Sequence, residues 1–206
     1  MPERIQYFFS TISPFAWLGH RTLHAIAERH GVGIDYRPFS IGAVWEKSGS
    51  VPLGQRSATR QRYRLVEMQR IASMRGLELN LHPAHFPANP ERADLCCAAI
   101  VLQGGSPADF AFAAGEAVWS RDQDIASEAV LARLLAATGH DANAVLAASK
   151  SPQAAQLRAD NSAEAAELDA IGAPAYAWKG EIFWGQDRLD MLESMIASGR
   201  PPFRAK

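Results

Sequence analysis

Apolar and polar positions divide the chain into three regimes. Residues 5–9 form an apolar, aromatic run that reads as a buried strand. A short polar turn follows, and Pro14 opens a segment with Trp17, Leu18, Leu23, Ile26 and Ala27 at roughly helical spacing. Gly31 is its natural stop. Residues 33–39 alternate apolar and polar, as a second strand would, so the opening is a βαβ unit. Residues 40–55 carry glycines, a proline and no sustained period. They read as a loop near the strand ends, where α/β folds usually keep their ligands.

From residue 57 to 169 the period is helical. Tyr63, Val66, Met68, Ile71, Ala72 and Met74 are expected on one face of a long helix that ends at Gly76. Residues 79–90 are proline-punctuated and extended. Helical patterns resume over 90–102, 107–119, 127–137, 141–148 and 152–169, with Ser106-Pro107 and Ser151-Pro152 as capped starts. Strand chemistry returns in 175–178 and 181–184, which Lys179-Gly180 joins as a tight hairpin. An amphipathic last helix follows, with Gln186 or Asp187 near its cap, and the tail from Gly199 is expected to fray.

The order βαβ, helices, ββα is an α/β thioredoxin-like topology with a large all-α domain inserted after the second strand. Residues 1–56 and 170–206 would form the thioredoxin-like domain and 57–169 the insertion, which is too long to be a structureless loop.

Composition narrows the function classes. With 206 residues, 48% hydrophobic, and a formal net charge of −1, the chain offers no whole-molecule electrostatic case for nucleic acid or acidic membranes. No apolar stretch approaches the ~20 residues that span a bilayer, and no basic-then-apolar signal opens the chain, so a cytoplasmic protein is expected. Cys96 and Cys97 are adjacent, and neighbouring helical side chains point about 100° apart, which disfavours a disulfide between them. They read as buried, inert thiols. With no CxxC and no Cys/His ligand spacing, no metal site is expected. The remaining histidines, His82 and His85 among them, read as surface or interface groups.

The informative turn is Ser10-Thr11-Ile12-Ser13-Pro14. Proline suits a first helical turn, so Ser13 stands just ahead of a helix N-terminus, where unpaired N–H groups favour negative charge. Its hydroxyl can cap the helix or stabilise an anion, and the turn alone leaves both open.

Three stretches carry a family resemblance: Phe8-Phe9-Ser10-Thr11-Ile12-Ser13-Pro14-Phe15-Ala16-Trp17-Leu18, then Gly172-Ala173-Pro174, and Gly180-Glu181-Ile182-Phe183-Trp184-Gly185-Gln186-Asp187-Arg188-Leu189. The chain resembles the glutathione-dependent branch of the DsbA-like thioredoxin superfamily, that is, 2-hydroxychromene-2-carboxylate isomerases and kappa-class glutathione transferases. Serine stands where redox relatives keep their first active-site cysteine and Ala16 where they keep the second, so dithiol chemistry is excluded at this turn. The resemblance implies that Ser13 hydrogen-bonds the glutathione sulfur and favours its thiolate. A free thiol has a pKa of about 8.5, and a charge-assisted hydrogen bond beside a helix terminus can bring that down.

The resemblance also implies a cis Ala173–Pro174 bond that exposes the Ala173 backbone to the cysteinyl backbone of glutathione. Gln186 and Asp187 would hold the γ-glutamyl end, or else simply cap the last helix; Arg188 would make a structural ion pair. Residues 42–52 depart from the family pattern: the lysine is displaced to Lys47 and a serine, Ser50, replaces an asparagine. Both are candidates for glutathione or a substrate carboxylate, and Trp45 for an aromatic substrate or for the core. The Arg56, Arg60, Arg62, Arg64, Arg70 series reads mostly as a solvated helix face, with one member a candidate for glutathione's glycine carboxylate.

The expected activity is isomerisation by reversible thiolate addition to a conjugated aromatic pyruvate, with glutathione as cofactor, no metal and a homodimeric state. Kappa-type transfer is the alternative. A non-catalytic glutathione- or peptide-binding thioredoxin-like module is the rival from another class.

Overall fold

Alternation along the first strand builds two cores at once. The structure, a computed structural model, describes residues 3–204; the domain limits expected at residues 1 and 206 lie outside these. In β1 (Arg4–Phe9), Ile5, Tyr7 and Phe9 point to one side and join the larger core. Phe8 points to the other and packs with Phe39, Val44, Ala165, Ala175 and Ala177. A period of two on a strand buried on both faces gives this division.

The four-stranded sheet runs in the order β2-β1-β3-β4, with β2 at Gly33–Pro38, β3 at Ala175–Trp178 and β4 at Glu181–Trp184. β1 pairs parallel to β2 (Ile5 opposite Ile34) and antiparallel to β3 (Tyr7 opposite Tyr176). The aromatic residues of this register stack, Tyr7 on Phe9 at 4.8 Å and on Tyr176 at 5.4 Å between centroids. Lys179 and Gly180, both at positive φ, turn β3 into β4 as expected.

Helix α1 (Pro14–His30) crosses between β1 and β2, and Gly31 closes it in the left-handed conformation. The remaining helices are α2 (Trp45–Ser48), α3 (Ala58–Arg75), α4 (Glu91–Leu102), α5 (Ala108–Trp119), α6 (Glu128–Ala137), α7 (Ala142–Ser149), α8 (Pro152–Glu167) and α9 (Leu189–Ser198). The alanine enrichment lets these helices approach closely. α5 meets α1 at Gly115, where a Cβ would come within 2.7 Å of Trp17 Cβ. The fold is the expected α/β thioredoxin-like one, with the helices α3–α8 lying between β2 and β3 in sequence.

Several local expectations fail for identifiable reasons. On α3 only Met68, Ile71 and Ala72 are buried, while Tyr63, Val66 and Met74 face solvent. The helix docks through a narrow stripe near its C-terminal half, so the wider stripe read from the sequence does not reach the core. Residues 40–55 are less irregular than a loop: 3-10 turns at Ile41–Val44 and Leu53–Gln55 flank α2. The tail from Gly199 is tied down by a bidentate Arg200–Glu181 pair at 2.8 and 2.9 Å. His20 is buried, not superficial, and desolvation lowers its pKa to about 3.

Candidate active site around the Ser13 turn

β1 delivers the chain into a turn that the core holds from below. The Asp94 carboxylate, fully buried on α4, accepts from Thr11 N–H at 2.8 Å, the Thr11 hydroxyl at 2.8 Å and the Ser10 hydroxyl at 2.9 Å. Arg158 approaches the same carboxylate at 3.5 Å. Burial raises the Asp94 pKa to about 6, against the opposing pull of the Thr11 N–H, Arg158 and the two hydroxyls. From the side, the Trp119 indole N–H donates to the Ile12 carbonyl at 3.1 Å. The backbone ahead of the helix is thus fixed on both sides.

Of the two roles that the turn left open for Ser13, the structure shows the cap, together with a donation from the same hydroxyl to a distant carbonyl. Its Oγ accepts from Ala16 N–H at 3.2 Å, as an N-cap does, and donates to the Ala173 carbonyl at 3.1 Å. The Ala173–Pro174 bond is cis, as the resemblance implied. Phe86–Pro87 is cis as well, where no cis bond is expected from the sequence. Ala173 keeps part of its surface in solvent, and its N–H has no partner among the described residues.

The third motif closes on the same place. Gly185 N–H donates to the Pro174 carbonyl at 2.9 Å, which sets Gln186 and Asp187 beside the cis-proline loop. Gly185 has φ of 97°, which calls for glycine, and a Cβ there would push the exposed Asp187 carboxylate aside. The expectation that Gln186 or Asp187 caps the last helix is corrected: they lie in a 3-10 turn, Gln186–Arg188, and α9 starts without a side-chain cap. Gln186 is buried, and its side-chain carbonyl accepts from Arg75, which also donates to the Leu18 carbonyl. Asp187 is exposed and pairs with Arg188 at 2.6 Å, the ion pair expected of Arg188.

Lys47 and Ser50 stand one step back. The Lys47 ammonium bonds Asp169 and the Ala166 carbonyl, each at 2.8 Å, and the Ser50 hydroxyl donates to the Ile171 carbonyl at 3.2 Å. Both hold the segment that leads into the cis-proline. Trp45, like Ala166, Leu168 and Ala173, is partly buried against the smaller core.

Reading the sequence brought Ser13, Ala173, Pro174, Gln186 and Asp187 to one place and missed Asp94, Arg75 and Trp119. Asp94 carried a signal: helical spacing puts it on the face of Cys97 and Ala98, both buried, where an acid needs a reason. The cysteines are free and buried, and burial pushes the Cys96 thiol up to about 11. Among the described residues no group of three or more His, Cys, Asp or Glu side chains is placed to hold a metal ion. No helix among them is long and apolar enough to cross a membrane.

Proteins of more than one name are similar to this chain over nearly its full length. The chain is 29% identical over 198 residues to 2-hydroxychromene-2-carboxylate isomerase of Sphingobium xenophagum, covering 95% of this chain and 99% of that one. It is 25% identical over 215 residues to glutathione S-transferase kappa 1 of Caenorhabditis elegans, covering 98% and 95% respectively. A solved 2-hydroxychromene-2-carboxylate isomerase superposes with a TM-score of 0.76 at 25% identity, over 95% of each chain. The model of the DSBA-like thioredoxin domain matches residues 4–197, and the chain belongs to that family.

Proposed function

We propose that the protein is a glutathione-dependent isomerase of the 2-hydroxychromene-2-carboxylate type. The observation that carries this reading is the Ser13 hydroxyl, seated between a helix N-terminus and the cis-proline carbonyl, with Ala16 in place of a second thiol. The relatives named isomerase and transferase are enzymes, which supports catalysis over a passive binding module. The residues fit glutathione: the unpartnered Ala173 N–H and the half-exposed edge of the cis-proline loop suit an extended peptide backbone.

Glutathione supplies a thiolate that adds reversibly to a conjugated bond, so that the bond can rotate before the thiol leaves. Ser13 turns its hydroxyl proton from the Ala173 carbonyl to the sulfur and keeps the Ala16 N–H bond. The N-terminal amides of α1 add their partial positive charge to the same site. Ala173 and Pro174 align the cysteinyl backbone. Asp187 pairs with the γ-glutamyl ammonium, and Gln186, its carbonyl held by Arg75, donates from its amide nitrogen. Lys47 and Ser50 support the site by anchoring residues 166–171.

Kappa-type transfer is the second reading, supported by the similarity to the Caenorhabditis elegans transferase. Assaying one preparation with glutathione against a hydroxychromene carboxylate and against a chlorinated nitrobenzene separates the two. Isomerisation that requires glutathione without consuming it is expected; stoichiometric conjugate with no isomerisation would establish the transferase instead. The same reading makes the protein a cytoplasmic homodimer in aromatic-compound breakdown, and light scattering of the purified protein tests the dimer.

A further inference from the structure

The arginine series on α3 is not uniformly solvated. Arg64 is half-buried, and its guanidinium carbon lies 5.5 Å from the Trp119 ring centroid, 5.6 Å from Phe86 and 6.0 Å from Phe15. These rings border the Ser13 turn: Trp119 is bonded to Ile12, and Phe15 follows Pro14. Trp119 is fully buried, whereas Arg64, Phe15 and Phe86 each keep some surface in solvent, so the box is open on their side.

No counter-charge fills it. The ion pair of this helix belongs to Arg70, with Glu67. Among the described residues Arg56, Arg60 and Arg64 have no acidic partner; Arg60 and Arg64 stand four residues apart on α3, where like charges repel, and Arg56 lies just ahead of the helix. Burial, and then the Arg56 charge, brings the Arg64 pKa down to about 10. Arg56 is itself lowered by burial and by Arg60. A guanidinium that is desolvated, flanked by cations and lacking an anion is unfavourable for the protein alone. An anionic ligand would relieve it. Contact with the rings uses none of the guanidinium N–H donors, so they are free for a carboxylate.

We propose that Arg64, backed by Arg56 and walled by Phe15, Phe86 and Trp119, receives the carboxylate of a planar aromatic acid beside Ser13. This rests on the isomerase reading and adds the residue that selects its substrate. Aromatic walls suit a flat conjugated acid better than the polar, flexible glycyl end of glutathione, whose carboxylate is the other source of the same chemistry.

Calorimetry with cinnamate, with its neutral amide and with glutathione tests this without turnover. Wild type is expected to bind cinnamate about tenfold or more tightly than the amide, and Arg64→Gln to lose that preference, the scale of a charge-assisted bidentate contact. Glutathione affinity should move by less than about twofold, well below that scale. Arg64→Lys, with charge but no fork, should fall between, and it carries the test if Arg64→Gln does not fold. Equal binding of cinnamate and amide by wild type would overturn the proposal. So would an Arg64→Gln loss confined to glutathione, which would assign the arginine to the tripeptide. Cinnamate binding through Arg64 in a protein that isomerises no hydroxychromene carboxylate would support the subsite and refute the isomerase reading alone.

Discussion

The Ser13 hydroxyl donates to the Ala173 carbonyl at 3.1 Å, joining residues 160 positions apart in the chain. This bond joins the helix N-terminus to the cis-proline loop. Under the proposed function its proton is the one a bound thiolate would recruit, which would link the thiol chemistry to the backbone-binding edge.

Replacing Ser13 by alanine should therefore separate stability from chemistry. The lost cap should cost only about 1 kcal/mol of stability. The pKa of bound glutathione should rise towards the free-thiol value of about 8.5, and kcat should fall by roughly tenfold or more. Ultraviolet titration of the thiolate in the complex measures the first effect; an unchanged thiol pKa would remove Ser13 from the chemistry.

Gly185→Ala tests whether the third motif is a binding element or mere packing. The positive φ alone should cost about 1–2 kcal/mol, and the new Cβ displaces the Asp187 carboxylate. Weaker glutathione binding is expected in addition to a lower Tm. A variant with lowered Tm and full glutathione affinity would confine Gly185 and Asp187 to a structural role.

Asp94→Asn should change how stability depends on pH. Burial raises the folded pKa to about 6 from an ordinary 3.8. Between those values the native state holds a proton that the unfolded chain has released, so this group stabilises more as pH falls from 7 towards 4. Its contribution is fully present below 3.8 and lost as pH rises through 6, an excursion on the order of 3 kcal/mol. Denaturant unfolding of both proteins at several pH values should show that component in wild type and not in Asp94→Asn. Parallel profiles would mean that Asp94 does not titrate there.

The two cysteines should resist a disulfide-exchange reagent at pH 8 in the native protein and both react once it is unfolded. Burial outweighs the Ser149 hydrogen bond and the Arg92 charge and keeps the Cys96 thiol near 11, and burial with the Asp94 charge holds Cys97 well above its usual value. Rapid native labelling of either would contradict this and reopen a redox role.

Periodicity was enough for the order of the strands and the longer helices, whose patterns no loop shares, but not for the short turns and α2 within residues 40–55. Local backbone chemistry placed Ser13 ahead of Pro14 at a capping position, and the family resemblance, not periodicity, marked Gly185 and Asp187. Distances of 84 and 107 residues separate Asp94 from Ser10 and Trp119 from Ile12, and no local pattern reports such pairings. The same holds for the arginines of α3. Their spacing is that of a solvated face, and only the docking of α3 near Phe15, Phe86 and Trp119 takes Arg64 partly out of water. The Ser13 turn was legible because its chemistry is local; the groups that fix and flank it come from distant helices, and only their packing decides which side chains lose solvent and find each other.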